Sequence, residues 1–410
     1  MMRKSMYLLA ALLFVCSSIW AQDYGISFSG FVKADHFVDS RQTVTAREGH
    51  FLLYPAAEVL DSNKDDVNAA PNFNQLAIQS RLTGKITAPD AFGAKASGVI
   101  EGAFFGHTND DINGFRLRHA FVKLAWEKTA LYFGQYWHPM FVTAVFPGVV
   151  SFNTGVPFQP FSRNPQFRLE QTMSSSAKFI VALLSQRDFA SPGGSTSLRN
   201  AVLPNVHAQL QLTPGKSVLG AGVDYKMLRP RLIENGLKTT ETVTGLSLIG
   251  YAKTDLGNMT VKVEGVLGQN LFDHLMIGGY APMAELNSDN QTQYTTMNNM
   301  SVWAEVHGNG STLQPGIFFG YTQNLGGNDN INAEALAAAG TARGGTSLKD
   351  VLRVSPRLVF KSGKASLASE LELTQAGYTS AAAADVKGKP GGDTTSVMNI
   401  RLLIAAILSF

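Results

Sequence analysis

The sequence predicts an all-β fold: a transmembrane antiparallel β-barrel of about sixteen strands, with long external loops and short periplasmic turns. Three observations predict it. The C-terminal segment alternates apolar and mixed residues over a membrane-spanning length, and the connections between candidate strands are short and long in turn. Nowhere after the N-terminal leader is there a run of the ~18 to 20 apolar residues that a membrane helix needs, although 45% of the chain is hydrophobic.

In the final strand, Met398, Ile400, Leu402, Ile404, Ala406, Leu408 and Phe410 share one side, while Asn399, Arg401 and Ser409 fall on the other. An oily outer face and a partly polar inner face over about ten residues suit a barrel wall in lipid. The terminal Phe410 matches the signal that the barrel assembly machinery recognises, so it is the candidate assembly residue.

The other end agrees. Arg3 and Lys4 precede an apolar run from Tyr7 to Val15 and then small residues, which reads as a secretory signal peptide over 1-22. Residues 23-410 are then one outer-membrane barrel domain. Cys16 is the single cysteine, so no disulfide forms within the chain. Without Arg3 and Lys4, 32 basic residues face 31 acidic ones, which leaves no basic footprint for nucleic acid.

Period-two stretches fall near 24-39, 74-88, 94-105, 115-126, 130-137, 166-172, 177-186, 205-213, 217-228, 242-253, 259-270, 299-308, 312-323, 349-360, 365-378 and 397-410. Even-numbered strands run into tight turns such as Ala88-Pro89-Asp90, Pro214-Gly215-Lys216 and Ser362-Gly363-Lys364. Odd-numbered strands run mostly into long polar segments, notably 40-73, 138-165, 187-204, 271-298, 324-348 and 379-396. A soluble sandwich has no reason to keep that asymmetry. An even strand number also closes the ring without an unpaired edge in lipid.

Parity assigns the facing. Gln75, Gln79, Arg81, Thr83 and Lys85 oppose Leu76, Ile78, Leu82 and Ile86, and the polar sets are expected to line the lumen. By the same rule Arg353 and Arg357 face inward on the fourteenth strand, and Glu370 and Glu372 on the fifteenth. The fourth strand breaks the rule, because Lys123 has the opposite parity to Arg116 and Arg118; a bulge is expected there.

The segment Arg116-Leu-Arg-His-Ala-Phe-Val-Lys-Leu, then Gly134-Gln-Tyr-Trp137 and Arg163-Asn-Pro-Gln-Phe-Arg168, resembles the DcaP-like family of Gram-negative outer-membrane porins. The likeness is sharp over 115-170 and architectural elsewhere. It implies a homotrimeric, sixteen-stranded channel for passive diffusion of small hydrophilic solutes, anionic or neutral, with a mild preference for anions such as dicarboxylates. It also implies that the third external loop folds into the pore. The chain lacks the heptad-rich segment seen before the barrel in family members.

Residues 138-165 hold no Asp or Glu, and Arg163 is their one formal charge. Acidic rings favour cations in a constriction, and Arg or Lys favours anions. A 28-residue apolar loop left in water would be a liability, so it is expected to fold inward against Arg116, Arg118, Arg168, Arg353, Arg357 and Arg401. Tyr136, Trp137 and His138 stand at its start, and with these arginines they are the candidate pore residues.

Other chemistry finds little support. Asn109-Asp110-Asp111-Ile112-Asn113-Gly114 opens like a calcium loop, but Ala120 stands where the bidentate Glu belongs. The eight histidines have no ligand spacing, and no Gly-x-Ser-x-Gly elbow occurs. No metal, no cofactor and no catalytic residue is therefore expected. The alternatives are a barrel enzyme with a site assembled across strands, or a gated transporter for a specific solute, which would carry an N-terminal plug.

Overall fold

The computed structural model describes residues 24–106 and 108–410; the signal peptide expected over 1-22, with Cys16, lies outside them. No helix among the described residues is long and apolar enough to cross a membrane. Sixteen wall strands form one closed antiparallel ring. They are β1 (Gly25–Asp39), β2 (Asn72–Leu76, resuming as Arg81–Thr87), β3 (Lys95–Ala103), β4 (Arg116–Ala125), β5 (Thr129–Trp137) and β6 (Arg163–Ser174). Next come β7 (Ala177–Leu184), β8 (Asn205–Leu212), β9 (Ser217–Leu228), β10 (Val243–Asp255) and β11 (Met259–Gln269). The ring finishes with β12 (Thr292–Gly308), β13 (Leu313–Gly327), β14 (Leu348–Ser362), β15 (Ala365–Thr379) and β16 (Thr394–Ser409).

β1 is the closing strand. It pairs with β2 from Gly25 opposite Thr87 and with β16 from Phe31 opposite Ser409 to Asp39 opposite Arg401. No wall strand keeps an unpaired edge, as hydrocarbon demands. Gly30 marks the seam: its amide and carbonyl pair with those of Phe410, and a Cβ there would sit 2.1 Å from the Arg81 carbonyl oxygen and 2.8 Å from the Phe410 ring. Only glycine lets the last residue lie this close.

Facing follows the parity of the sequence along β16, where Val397, Asn399, Arg401, Leu403 and Ala405 are buried and Met398, Ile400, Leu402, Ile404 and Leu408 are exposed on the outer wall. In β4 the register slips between Glu101 and Gly102 of β3, so that Arg118 has no cross-strand partner. This bulge turns both Arg118 and His119 inward and restores Val122 to the outside. At the turn end, Gly215, Gly257 and Gly363 take φ of +57°, +87° and +57°, a region that penalises a Cβ.

The starts of two strands change the loops expected from sequence. β6 starts at Arg163, opposite Trp137, so the loop ends at Ser162. β12 starts at Thr292, and Gly278–Leu286 forms a hairpin with it where a bare loop was expected. Helices α1 (Gly194–Ala201) and α2 (Ala333–Ala339) interrupt two other loops. Strand beyond the bilayer has no oily face to keep, so the Thr- and Asn-rich start of β12 carries no apolar alternation.

The lumen is also less polar than parity suggests. Phe51 to Tyr54 of the first loop, and Met140, Phe141, Val145, Phe152, Val156, Phe158 and Phe161 of the third, make a buried apolar cluster inside the barrel. β7 accordingly turns Ile180, Ala182 and Leu184 inward, all nearly without exposure. Buried apolar area stabilises these loops much as it does a soluble core.

Two outcomes test this architecture. A cysteine in place of Asp289, at the loop end, should react with an impermeant thiol reagent on intact cells, and one in place of Lys364, at the turn end, should not; the reverse pattern inverts the topology. Deleting Phe410 should lower the yield of heat-modifiable barrel in the outer membrane, because it removes both the terminal aromatic and the backbone pairing at Gly30.

Candidate functional site

The feature that shapes the lumen is the segment from His138 to Ser162, which leaves the wall after β5 and rejoins it at β6. His138 and Ser162 close its neck through a backbone hydrogen bond of 3.0 Å. Between them the chain reaches the opposite wall and is pinned there by buried charge. Lys33 of β1 donates to the Val150 carbonyl at 2.6 Å, and Glu370 of β15 accepts from the amides of Val150 and Ser151. Asn153 donates to Glu372 at 2.5 Å, Arg353 donates to the Val156 carbonyl at 2.8 Å, and Ser301 of β12 donates to the Phe158 carbonyl at 2.9 Å. Glu305 accepts the Gly148 amide, and Lys262 of β11 reaches the Phe146 carbonyl at 3.1 Å. The loop supplies backbone groups, and the wall supplies the charges that satisfy them.

This arrangement divides the arginines singled out from sequence into two groups. On the wall of β14 to β16 they hold structure. Arg353 spends its guanidinium on the carbonyls of Leu52, Leu53 and Val156 at 2.8 to 3.1 Å and on the Thr374 hydroxyl, so it ties the first and third loops together. Arg401 makes a bidentate pair with Asp39 at 2.9 and 2.6 Å across the β1–β16 seam. Arg357 pairs with Glu305 at 3.0 Å.

On the wall from β2 to β8 each carboxylate is shared by two cations. Glu101 lies 2.8 Å from Arg118 and 3.6 Å from Arg81. Asp188, in the loop after β7, bonds Arg163 at 2.7 Å and also contacts Arg116. Glu170 bonds Arg168 at 2.8 Å and Lys178 at 3.1 Å. Six cations thus face three carboxylates. Burial disfavours the Asp188 charge, but Arg163 and Arg116 outweigh it and hold its carboxyl below the ordinary carboxylate range. Arg118 Nη1 and both terminal nitrogens of Arg163 are buried without a hydrogen-bond partner among the described residues.

Trp137 and Tyr136, successive residues of β5, line separate cavities inside the barrel. Trp137 stacks on Phe141 with ring centroids 3.8 Å apart and carries the guanidiniums of Arg163 and Arg118 at 5.1 and 5.7 Å. It lines a cavity of about 270 Å³ with Arg81, Arg118, Gln79, Phe31 and the loop. Tyr136 carries Arg168 at 5.6 Å and lines a second cavity of about 180 Å³ with Tyr132, Glu170, Lys178 and Gln209. Phe141 borders both. His138 lines neither; it is buried against Asp224, His207 and His274.

Lys178 and Asp188 were not among the candidates from sequence. Lys178 escaped because the inward face of β7 is otherwise apolar, and Asp188 because only folding brings its loop back over the barrel mouth. The charge on Arg81 was visible by parity, but its sharing of Glu101 with Arg118 depends on the β4 bulge.

The comparisons with known proteins fit this geometry. No protein-family model matches the chain, and no curated protein is similar to it in sequence. The outer membrane channel DcaP of Acinetobacter baumannii superposes with a TM-score of 0.69 at 16% identity, covering 95% of this chain and 98% of that one. The fold is that of an outer-membrane porin. An anion-selective porin from Comamonas acidovorans matches with a TM-score of 0.56 at 11% identity, over 95% of this chain and all of that one. The trimer form of OmpT from Vibrio cholerae matches at 0.55 and 12% identity, over 94% of this chain and 99% of that one. The porin fold and its closed lipid-facing wall place the protein in the outer membrane.

The two groups of arginine should separate in a stability experiment. Arg401→Met leaves Asp39 buried with one remaining side-chain donor, Asn399, and should cost about 3 kcal/mol, read as a lower apparent unfolding temperature of the purified barrel in detergent. Arg168→Ser, beside a cavity, should leave that temperature nearly unchanged. Equal effects would contradict the division.

Proposed function

We propose that the protein is a passive diffusion porin for small hydrophilic solutes with a mild preference for anions such as dicarboxylates. The observation that carries this reading is the pairing of six cations with three carboxylates along β2 to β8, where both cavities lie. Ion pairs close in charge but not in number leave a positive field in the passage. That field acts where the passage is narrow, because salt screens charges beyond about 8 Å. The unpartnered Nη1 of Arg118, which lines the cavity of about 270 Å³, supplies a hydrogen bond that a carboxylate can accept. The aromatic surfaces of Trp137, Phe141 and Tyr136 beside them let a solute shed water on one face without losing contact.

The acidic residues of the opposite wall weigh less in this balance. Glu305, Glu370 and Glu372 are engaged by loop amides, Asn153 or arginine, and Asp39 is engaged by Arg401. They are buried behind the loop and do not line either cavity. The structural likeness to the anion-selective porin from Comamonas acidovorans is consistent with this direction. A homotrimer, on the pattern of the trimeric OmpT form, is the assembly we propose.

Reconstituted in a planar bilayer under a KCl gradient, the wild-type pore should give a zero-current potential on the anion side. The double variant Arg118→Ser, Arg168→Ser should move that potential towards cations and slow dicarboxylate uptake more than uptake of neutral sugars. A wild-type pore that already prefers cations would overturn the anion assignment and leave the loop-narrowed channel standing.

A further inference from the structure

Eight histidines dispersed through the chain give no ligand spacing, yet the barrel brings three of them to one buried point. His207 of β8 and Asp224 of β9 are direct cross-strand partners, and both side chains point into the lumen. Residues so paired have Cβ atoms about 5 Å apart. His138, the first residue of the lumen-crossing loop, comes in from β5, and His274 comes from a one-turn 3₁₀ helix (Phe272–His274) after β11. All four side chains are at most 1% exposed. His138 Nε2 lies 3.2 Å and His207 Nδ1 3.4 Å from the same oxygen, Asp224 Oδ2.

We infer that His138, His207 and Asp224 form a site for a divalent transition-metal ion, best matched by Zn²⁺, with His274 at its edge, and that the ion fastens the start of the crossing loop to the wall. Two observations carry this. First, the donors are close without being bonded to one another. His138 Nε2, His207 Nδ1, both oxygens of Asp224 and both ring nitrogens of His274 are buried with no hydrogen-bond partner among the described residues. So many unmet polar atoms in one dry place would be costly, and one shared cation meets three of them. Second, the spacing suits coordination. Zinc bonds of 2.0 to 2.2 Å at tetrahedral angles put neighbouring donor atoms about 3.3 Å apart, against the 3.2 and 3.4 Å found. The three donor atoms lie within 4.8 Å of one another, so the widest edge contracts on binding.

The surroundings orient the ligands as metal sites require. His207 Nε2 lies 3.1 Å from Gln209 Oε1, and Gln209 Nε2 donates to the Tyr251 hydroxyl at 2.7 Å. A proton on Nε2 leaves Nδ1 with its lone pair towards Asp224. His138 Nδ1 accepts a long hydrogen bond of 3.2 Å from the Met140 amide. Ligation through Nε2 moves the ring proton to Nδ1 and gives up that contact, which is the one loss the site incurs. Two imidazoles with one carboxylate favour zinc over calcium or magnesium, which take oxygen donors. Pro139 and Gln209 both line the cavity of about 180 Å³, which gives the ion a route from the lumen.

The experiment uses the untagged barrel, stripped with EDTA, exchanged into chelator-free buffer, incubated with zinc sulfate and desalted. Metal content should reach one zinc per chain, and the apparent unfolding temperature should rise by ~4 °C or more. Calcium and magnesium should do neither. His207→Ala and Asp224→Asn should each lose both responses, while His36→Ala, on the exposed outer wall, should keep them. Gel mobility before and after heating shows that each variant has closed; should His207→Ala fail to close, the near-isosteric Asp224→Asn decides. Substoichiometric zinc in the wild type overturns the site, as does zinc retained by Asp224→Asn. This inference stands apart from ion selectivity, so either can fail alone.

Discussion

Closure of the wall is the constraint on which everything else depends. In hydrocarbon a backbone N–H or C=O without a partner costs several kcal/mol, so the sheet must meet itself. It does so where β1 lies against β16, and the Asp39–Arg401 pair sits directly across that seam. β1 also carries Lys33 to the crossing loop and Asp35 to His50 of the first loop. The seam is thus also an anchor for what fills the barrel. This explains why Arg401, which by parity looked like one lumen cation among several, is committed to holding the ring and the charges behind it.

Filling the barrel sets a second requirement. A loop crossing a lumen carries amides and carbonyls that no sheet ladder satisfies, and its phenylalanines need somewhere dry. The chain answers with an inner apolar cluster bounded by buried ion pairs. Glu305, Glu370 and Arg353 cap loop backbone, and Arg357 and Arg401 hold carboxylates behind it. Their removal from the passage leaves the β2 to β8 wall to set the field. Structure on one side and electrostatics on the other follow from where a single loop lies down.

Asp224 and the three histidines around it show the same division of labour at atomic scale. Each comes from a different element, and each has a plain structural address: a strand end, two facing strand positions and a helical turn. Their convergence at the neck of the loop brings the loop's origin against β8 and β9, while Arg353 holds its far end.

The sequence alone determined the architecture, because a strand in lipid must show its oily side at every second residue and because turns and loops differ in length at the two ends. The sixteen strands were legible to within a few residues on that basis, as were the β4 bulge, from the parity clash of Lys123 with Arg116 and Arg118, and the inward side of Arg353, Arg357 and Arg401. Where the bilayer ends, that rule lapses, and the start of β12 with its hairpin went unseen. Alternation reports which side a residue faces and says nothing of what meets it there. Whether an arginine stands open to solute or caps a carbonyl, which carboxylate serves two cations, and which histidines share one point are decided between residues tens to hundreds of positions apart. Only the closed barrel, with its loops folded back inside, brings those residues together.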